Sequence, residues 1–380
     1  MDLMDRSQAT GPRSAAWHLG ARAGSVHWGY FDQSLPPALT VASGAIVSVE
    51  TVTHHAGDAP DLLMDPGIAA LFEQVTDRGP GPHILTGPIA VEGAAPGDVL
   101  EVRILSIEPR LDYGSNLAAH WGHLYRDFGK ERVTIWAIDR PSMTARAEFA
   151  FDWKTTPLAN APGTIVVPGS VPREPSLADV VVPLRPHLGT MGVAPATPGR
   201  HSSIPPGLHG GNIDNWRIGK GATLYLPVSV AGALFSVGDS HASQGDSELC
   251  GTAIECSLTG TFQLIVRKRD TLPGTALDGL DYPLLETKDE WIVHGFTYAN
   301  YLDALGETAQ ADIFGKSSVD GAMRDAFRKM RRFLMTTRGL SEDEAISLMS
   351  VGVDFGISQV VDGNFGVHAI VRKDIFGHGT

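Results

Sequence analysis

The chain has 380 residues, with 30 Lys and Arg against 43 Asp and Glu, for a net charge of −13. That excludes the basic face by which a protein tracks nucleic-acid phosphates, so no nucleic-acid partner is expected. Hydrophobic residues make up 43% and charged residues 19%, with 43 Gly and 25 Pro, which rules out wholesale disorder and demands many turns between many short strands.

The opening stretch, residues 1–16, is polar, with Arg6 and Arg13 but no apolar run behind them. It reads as a flexible arm, neither signal peptide nor anchor. No apolar run approaches the roughly 20 residues that cross a bilayer, so no membrane partner is expected. Cys250 and Cys256 are the only cysteines, too few for a disulfide framework, and the expected setting is cytoplasmic. Short β-branched segments predict strands at Ala45–Val52, Val99–Ile107, Arg132–Ile138, Gly163–Val167, Thr223–Leu226, Ala233–Val237, Gly251–Leu258 and Thr261–Lys268. Pro96-Gly97-Asp98 and Thr259-Gly260 punctuate them, the second at hairpin spacing.

Helical periodicity is confined to the last quarter. Val319, Met323, Phe327, Met330 and Leu334 recur at three- and four-residue spacing, and the basic residues between them read as a solvated face. Ser341-Glu342-Asp343-Glu344 has capping-box form ahead of Ala345, Leu348 and Met349, which predicts a second helix. Extended structure returns at Val353–Val361 and Gly366–Arg372. The expected fold is mainly β, a β-sandwich core with α+β additions and a helix pair in the last quarter. The division expected is an arm over 1–16, a β-rich core over 17–270, and an α+β part over 271–380 packed on it.

Chemistry-bearing residues concentrate between His209 and Glu255. His209-Gly210-Gly211-Asn212-Ile213-Asp214 is followed by Gly238-Asp239-Ser240-His241 and by Gly245-Asp246-Ser247-Glu248. Gly-rich loops at strand ends, carrying acids and imidazoles, are where metal and acid–base sites are built. Asp239 and His241 are two apart, so in extended chain they share a side and offer a chelating bite. Carboxylate and imidazole together suit Zn²⁺, while oxygen-rich neighbours suit Ca²⁺ or Mg²⁺ equally. Glu255 alternates with Ala253 and Ser257, away from Ile254 and Cys256; it is either a wet-face glutamate or an inward acid, and Glu248 competes with it as base. Upstream, Glu50, Val52 and His54 share one face at period two. A glutamate there needs a partner if buried, and either His54 is that partner or both point to a site. His55 falls on the other face and reads as ordinary.

Nucleophile signals are weaker. Cys256 points away from Glu255, and small buried thiols are usually inert packing. Gly315-Lys316-Ser317-Ser318 lacks the continuation of serine amidases with a Ser-Ser-Lys apparatus. No G-x-S-x-G elbow, Walker loop or dinucleotide fingerprint appears in context.

These motifs together resemble the acetamidase/formamidase family of amide hydrolases, over roughly Val26 to Phe376. The resemblance rests on His27-Trp28-Gly29-Tyr30-Phe31-Asp32, Leu85-Thr86-Gly87-Pro88-Ile89, Pro96-Gly97-Asp98-Val99-Leu100 and Gly189-Thr190-Met191-Gly192. It is most specific at His209–Asp214, Leu224–Val228, Gly238–Ala242 and Gln244-Gly245-Asp246, and Ser358–Asp362 closes it. It implies a cytoplasmic homodimer or larger homo-oligomer that hydrolyses the C–N bond of a small linear amide to carboxylate plus ammonia or amine. It further implies a divalent metal, zinc before calcium or magnesium, with Asp214, Asp239 and His241 as ligands. Glu255, Glu248, His209 and Glu50 are then the candidate catalytic residues, with His209 or the Gly210 and Gly211 amides stabilising an oxyanion. Asn212, His54 and Trp121 are candidates for substrate contact. Ser247 stands where the family has glycine, which questions that turn, and Tyr113–Asp139, with Trp121, suggests an enlarged pocket. Two rivals stay open: a non-catalytic β-sandwich holding a structural divalent metal, and a metal-free amidase using a glutamate–cysteine pair.

Overall fold

Alternation fixes the orientation of the central strands. Along Leu258–Arg267 the residues Leu258, Gly260, Phe262 and Leu264 are buried and their neighbours are half-buried, as expected of a strand with one face on a core. The structure, a computed structural model, describes residues 17–153 and 163–377, so the expected arm over 1–16 lies outside the described residues. Leu258–Arg267 pairs antiparallel with Ala45–Glu50 on one side and Val99–Pro109 on the other. Among the described residues these strands sit within a nine-stranded sheet. It continues through Thr223–Pro227, Leu284–Glu286, Glu290–Phe296 and Gly366–Arg372 to Val353–Gln359, so it carries strands from both sides of residue 270.

A second, eleven-stranded sheet is built around Phe235–Ser243, which is buried from end to end. That strand lies between His187–Gly192 and Ile254–Glu255 and also pairs with Ile84–Val91. The two sheets face each other across one core that includes Val47, Val102, Met191, Phe235, Val237 and Phe262. Phe235 and Phe262 meet edge to face at 6.0 Å. The fold is therefore the mainly β sandwich that the alternation predicts.

The helix pair is present at Val319–Arg338 and Glu342–Gly352. Ala322, Ala326, Met330 and Phe333 pack on Trp291, Val293 and Ala369 of the nine-stranded sheet, and Ser341 with Glu344 forms the capping box. No helix of the described residues is long and apolar enough to cross a membrane.

Several local expectations fail for identifiable reasons. Thr259-Gly260 is not a turn but lies inside Leu258–Arg267, because the Phe262 ring occupies the space a side chain at 260 would need. The expected strand at Ala233 starts at Phe235 and runs on to Ser243, so Asp239 and His241 lie on a strand and not in a loop. Gly251–Leu258 shortens to Ile254–Glu255 ahead of the next strand, and Gly163–Val167 forms no strand. Ala45–Val52 ends at Glu50, after which His54–Asp58 makes one turn of 3₁₀ helix capped by the Thr53 hydroxyl. Helices at Pro66–Gln74 and Ala309–Lys316 were not expected. The first does carry a signal, an Asp65 N-cap followed by proline, which is the usual way to open a helix.

Candidate metal and active site

The site is built on the buried Phe235–Ser243 strand. His241 pairs in register with Glu255 on the neighbouring strand, and its Nε2 lies 3.2 Å from Glu255 Oε1 and 3.3 Å from Asp239 Oδ2. Its Nδ1 is 3.9 Å from Asp214 Oδ1. On the other flank Gly189 backs the cluster: a Cβ there would sit 2.5 Å from Asp239 Oδ2 and 2.6 Å from His241 Cε1, and closer still to Asp214 Oδ1. His83 reaches in from just before Ile84–Val91, with its Nε2 3.7 Å from Asp239 Oδ1. Ligand atoms of three overlapping groups lie within 4.8 Å of one another: Asp214, His241 and Glu248; Asp239, His241 and Glu255; His54, His83 and Asp239.

The backbone is bent to achieve this. Asp214, Asp239 and Glu248 have φ of +50°, +48° and +50°, a left-handed conformation that costs a residue with a side chain on the order of 1–2 kcal/mol. Such outliers concentrate where function over-determines the local geometry. Ser247 also takes the turn its glycine-like position requires, at φ +84°.

Second contacts orient the imidazoles. His187 is kept neutral by burial, its value lowered to about 3, and its Nδ1–H donates to Arg185 O at 2.6 Å. Its Nε2 lies 2.9 Å from Gln244 Oε1 and 3.1 Å from His241 Nδ1, and that Nδ1 is itself 3.1 Å from Gln244 Oε1. Gln244 is pinned in turn by donation of its NH₂ to Asp214 O at 2.8 Å. This leaves His241 Nε2 as the atom presented to the carboxylates, the arrangement by which outer contacts fix a ligating histidine.

Burial and mutual repulsion dominate the electrostatics here. Burial, then Asp362 and Asp239, push Asp214 well above the carboxylate range. Burial, with Asp214 next, does the same to Glu248, and burial with Glu248 does so to Asp362. Burial would also raise Asp239, but His83 and His241 overcome it and hold that carboxylate low. Burial works to lower His241, yet Glu255 and Asp239 keep it well above the ordinary imidazole value. Both Asp214 oxygens, Glu255 Oε2, His54 Nδ1 and one Asp362 oxygen are buried without a hydrogen-bond partner, and His241 Nε2 has only the Asp239 and Glu255 carboxylates beside it. Unpaired buried carboxylates are costly unless a cation joins them, and two acids with an imidazole are a donor set for a divalent transition metal. The residues present therefore fit such an ion.

A cavity of about 470 Å³ opens on this cluster. Of the expected site residues, the structure brings Asp214, Asp239, Glu248, Glu255, Asn212, His54 and Trp121 to its walls, with His241 immediately behind. Asn212 Oδ1 accepts from the Thr190 hydroxyl at 2.6 Å, which leaves its NH₂ as the group it can offer. Two residues lie elsewhere. Glu50 faces away from the cavity, where Oε2 accepts from Ala21 N at 3.2 Å and lies 3.8 Å from Arg110; the strand ends at Glu50, so the period-two link to His54 is broken. His209 packs edge-on against Phe31 at 5.2 Å, outside the cavity walls, and the Gly210 N–H is spent on Gly207 O. His83, Asp58 and Asp362 also line the cavity without a local signal in the sequence, and His55 departs from the ordinary position expected of it. His55 lines the cavity, its Nδ1 2.8 Å from Asp58 Oδ2 and its Nε2 unpartnered. Burial would lower His55, but Asp58 raises it above its usual value.

Residues 25–202 and 197–378 match the profile of the Acetamidase/Formamidase family. The chain belongs to that family. Its sequence is 36% identical over 208 residues to the acetamidase of Mycolicibacterium smegmatis, a match that covers 46% of this chain and 50% of that relative. The chain thus spans about half the length of that acetamidase. It is 27% identical over 321 residues to the formamidase of Methylophilus methylotrophus, covering 74% and 73%. Among solved structures it resembles the acetamidase of Bacillus halodurans, with a TM-score of 0.68 and 25% identity over 94% of this chain and 98% of that one.

Proposed function

We propose that this family member is an amidase, hydrolysing the C–N bond of a non-peptide amide to a carboxylate plus ammonia or an amine. The observation that carries the reading is the convergence of Asp214, Asp239, Glu248 and Glu255 on one cavity, with His241 directly behind them. Asp214, Asp239 and His241 are the residues proposed to hold a divalent cation, zinc first and calcium or magnesium after it, with His241 grouped either with Asp239 and Glu255 or with Asp214 and Glu248. Bound there, such an ion supplies Lewis-acid polarisation of the carbonyl and makes water acidic enough to lose a proton near neutrality.

The chain's own groups supply the rest. Glu255 Oε1 is fixed by Ala253 N at 3.1 Å, and Oε2 is free. Oε2 is therefore the atom to take the proton from the attacking water and to pass it to the departing nitrogen. The buried imidazole of His54, lowered well below its ordinary value by burial and by His55, stays neutral and offers the amide a polar contact. Asn212 offers its NH₂ to the carbonyl side.

The rivals fit less well. The Cys256 thiol is buried in the sandwich core, and burial with Glu255 raises its pKa, the opposite of what a nucleophile needs. A purely structural calcium site would prefer oxygen ligands, whereas imidazoles enter all three groups here. Consistent with the resemblance, the form proposed is a cytoplasmic homo-oligomer, which light scattering on purified protein checks. The decisive test is ammonia or amine release from an amide panel, before and after chelation and after return of single metals. Asp239→Asn and His241→Ala are expected to stay folded, lose metal and lose turnover; full activity in both rejects the proposal.

A further inference from the structure

The cavity is larger than the cation cluster needs, and its surplus is apolar. At about 470 Å³ it holds on the order of fifteen waters' worth of space and falls in the size range of drug-like ligand sites. Formamide and acetamide fill a small part of that. Away from the polar floor its wall is formed by Leu117, Trp121, Trp153, Ile204, Phe314 and Val361.

Two of these aromatics are held in ways that serve the cavity. The Trp121 indole N–H donates to Gly251 O at 2.9 Å. Its ring lies so close to that glycine that a Cβ would meet Nε1 at 2.6 Å, and the φ of +116° there also requires glycine. The polar edge of the indole is thus tied to backbone, and its carbon face is left for the cavity. Phe314 comes from the far end of the chain, on the Ala309–Lys316 helix, and is 50% exposed. It rests on Gly363, next to Asp362 of the polar floor. An apolar group seated in the cavity would cover the half-exposed Phe314 ring, which favours its binding.

We infer that, granted the amidase reading, the substrate is an amide bearing an apolar substituent of aromatic size, on the acyl carbon or on the nitrogen, and not a one- or two-carbon amide. The polar floor takes the carboxamide; the wall of Trp121, Phe314 and Leu117 takes the substituent.

The test compares kcat/KM of metal-replete protein for acetamide, phenylacetamide and acetanilide. Burying a phenyl-sized group favours the aromatic substrate by on the order of 10- to 100-fold. A preference for phenylacetamide puts the substituent on the acyl side, and a preference for acetanilide puts it on the nitrogen. Phe314→Ala, at a half-exposed position where folding is not at stake, is expected to shrink that preference several-fold. Acetamide turned over as well as or better than both aromatic amides overturns the inference and leaves the amidase reading standing. Calorimetric binding of phenylacetate against acetate separates the two further. Tighter phenylacetate binding supports the inference even where no amide is cut, a result that would fail the amidase reading alone, and equal binding of the two together with no preference for acetanilide overturns the inference.

Discussion

Gly189→Ala probes the site through one methyl group. Gly189 lies on the His187–Gly192 strand, where its φ is not one reserved for glycine, so alanine is acceptable to the backbone and the effect is steric. The added Cβ would lie 2.5 Å from Asp239 Oδ2 and 2.6 Å from His241 Cε1, against an ordinary contact that begins at 3.4 Å. Each group must therefore retreat by about 1 Å, and Asp214 by more. Overpacking of this kind costs about 1–3 kcal/mol of stability, and a displacement of about 1 Å in a reacting constellation costs on the order of 100-fold in rate. The expected outcome is a protein that melts a few degrees lower, with metal content well below one ion per chain and turnover reduced about 100-fold. Elemental analysis, circular dichroism melting and initial rates measure the three. Wild-type metal content together with wild-type turnover would refute the claim that these three side chains form the ion's cradle.

Glu50→Gln is expected to leave kcat/KM within about twofold and to cost no more than about 1 kcal/mol, since its ion pair with Arg110 is partly exposed; a large loss of turnover would return Glu50 to the site. Metal affinity is expected to weaken as pH falls. His241 carries a proton held by Glu255 and Asp239 against the effect of burial, and binding at Nε2 must displace it, so affinity rises about tenfold per pH unit below that group's pKa. Calorimetry in buffers of different ionisation heat should show at least about one proton released per ion, and none released would contradict it. Ser247→Gly, relieving a φ of +84°, is expected to stabilise the protein by about 1 kcal/mol in urea unfolding, and a loss of stability would show that the serine is held there by something other than backbone shape.

The parts of the fold that were legible are those whose signal is local. Alternation marked the strands expected at Val99–Ile107 and Thr261–Lys268, which run as Val99–Pro109 and Leu258–Arg267. The spacing of Val319, Met323, Phe327, Met330 and Leu334 with the Ser341 box marked the helix pair, although Met323 is exposed and Ala322 takes its place in the core. The cluster around Asp239 and His241 could be read because two residues at period two also share a side in the folded strand. His83 could not, because its place beside Asp239 follows from the pairing of Ile84–Val91 with Phe235–Ser243, a contact between segments about 150 residues apart. His55 was misplaced because alternation was carried past Glu50 into a 3₁₀ turn, where period two no longer holds. Gly260 looked like a turn because a glycine that makes room for a neighbouring ring has the same letter as one that reverses the chain.

The cavity draws on His54 near the start of the chain and on Asp362 near its end, so no short contiguous fragment contains it. Sites assembled from such distant segments appear only when nearly all the long-range pairing is in place, which in a β-rich chain is slow. During synthesis, capture of the proposed ion would therefore mark molecules whose long-range pairing is in place, and its retention would report native topology more faithfully than secondary-structure content does.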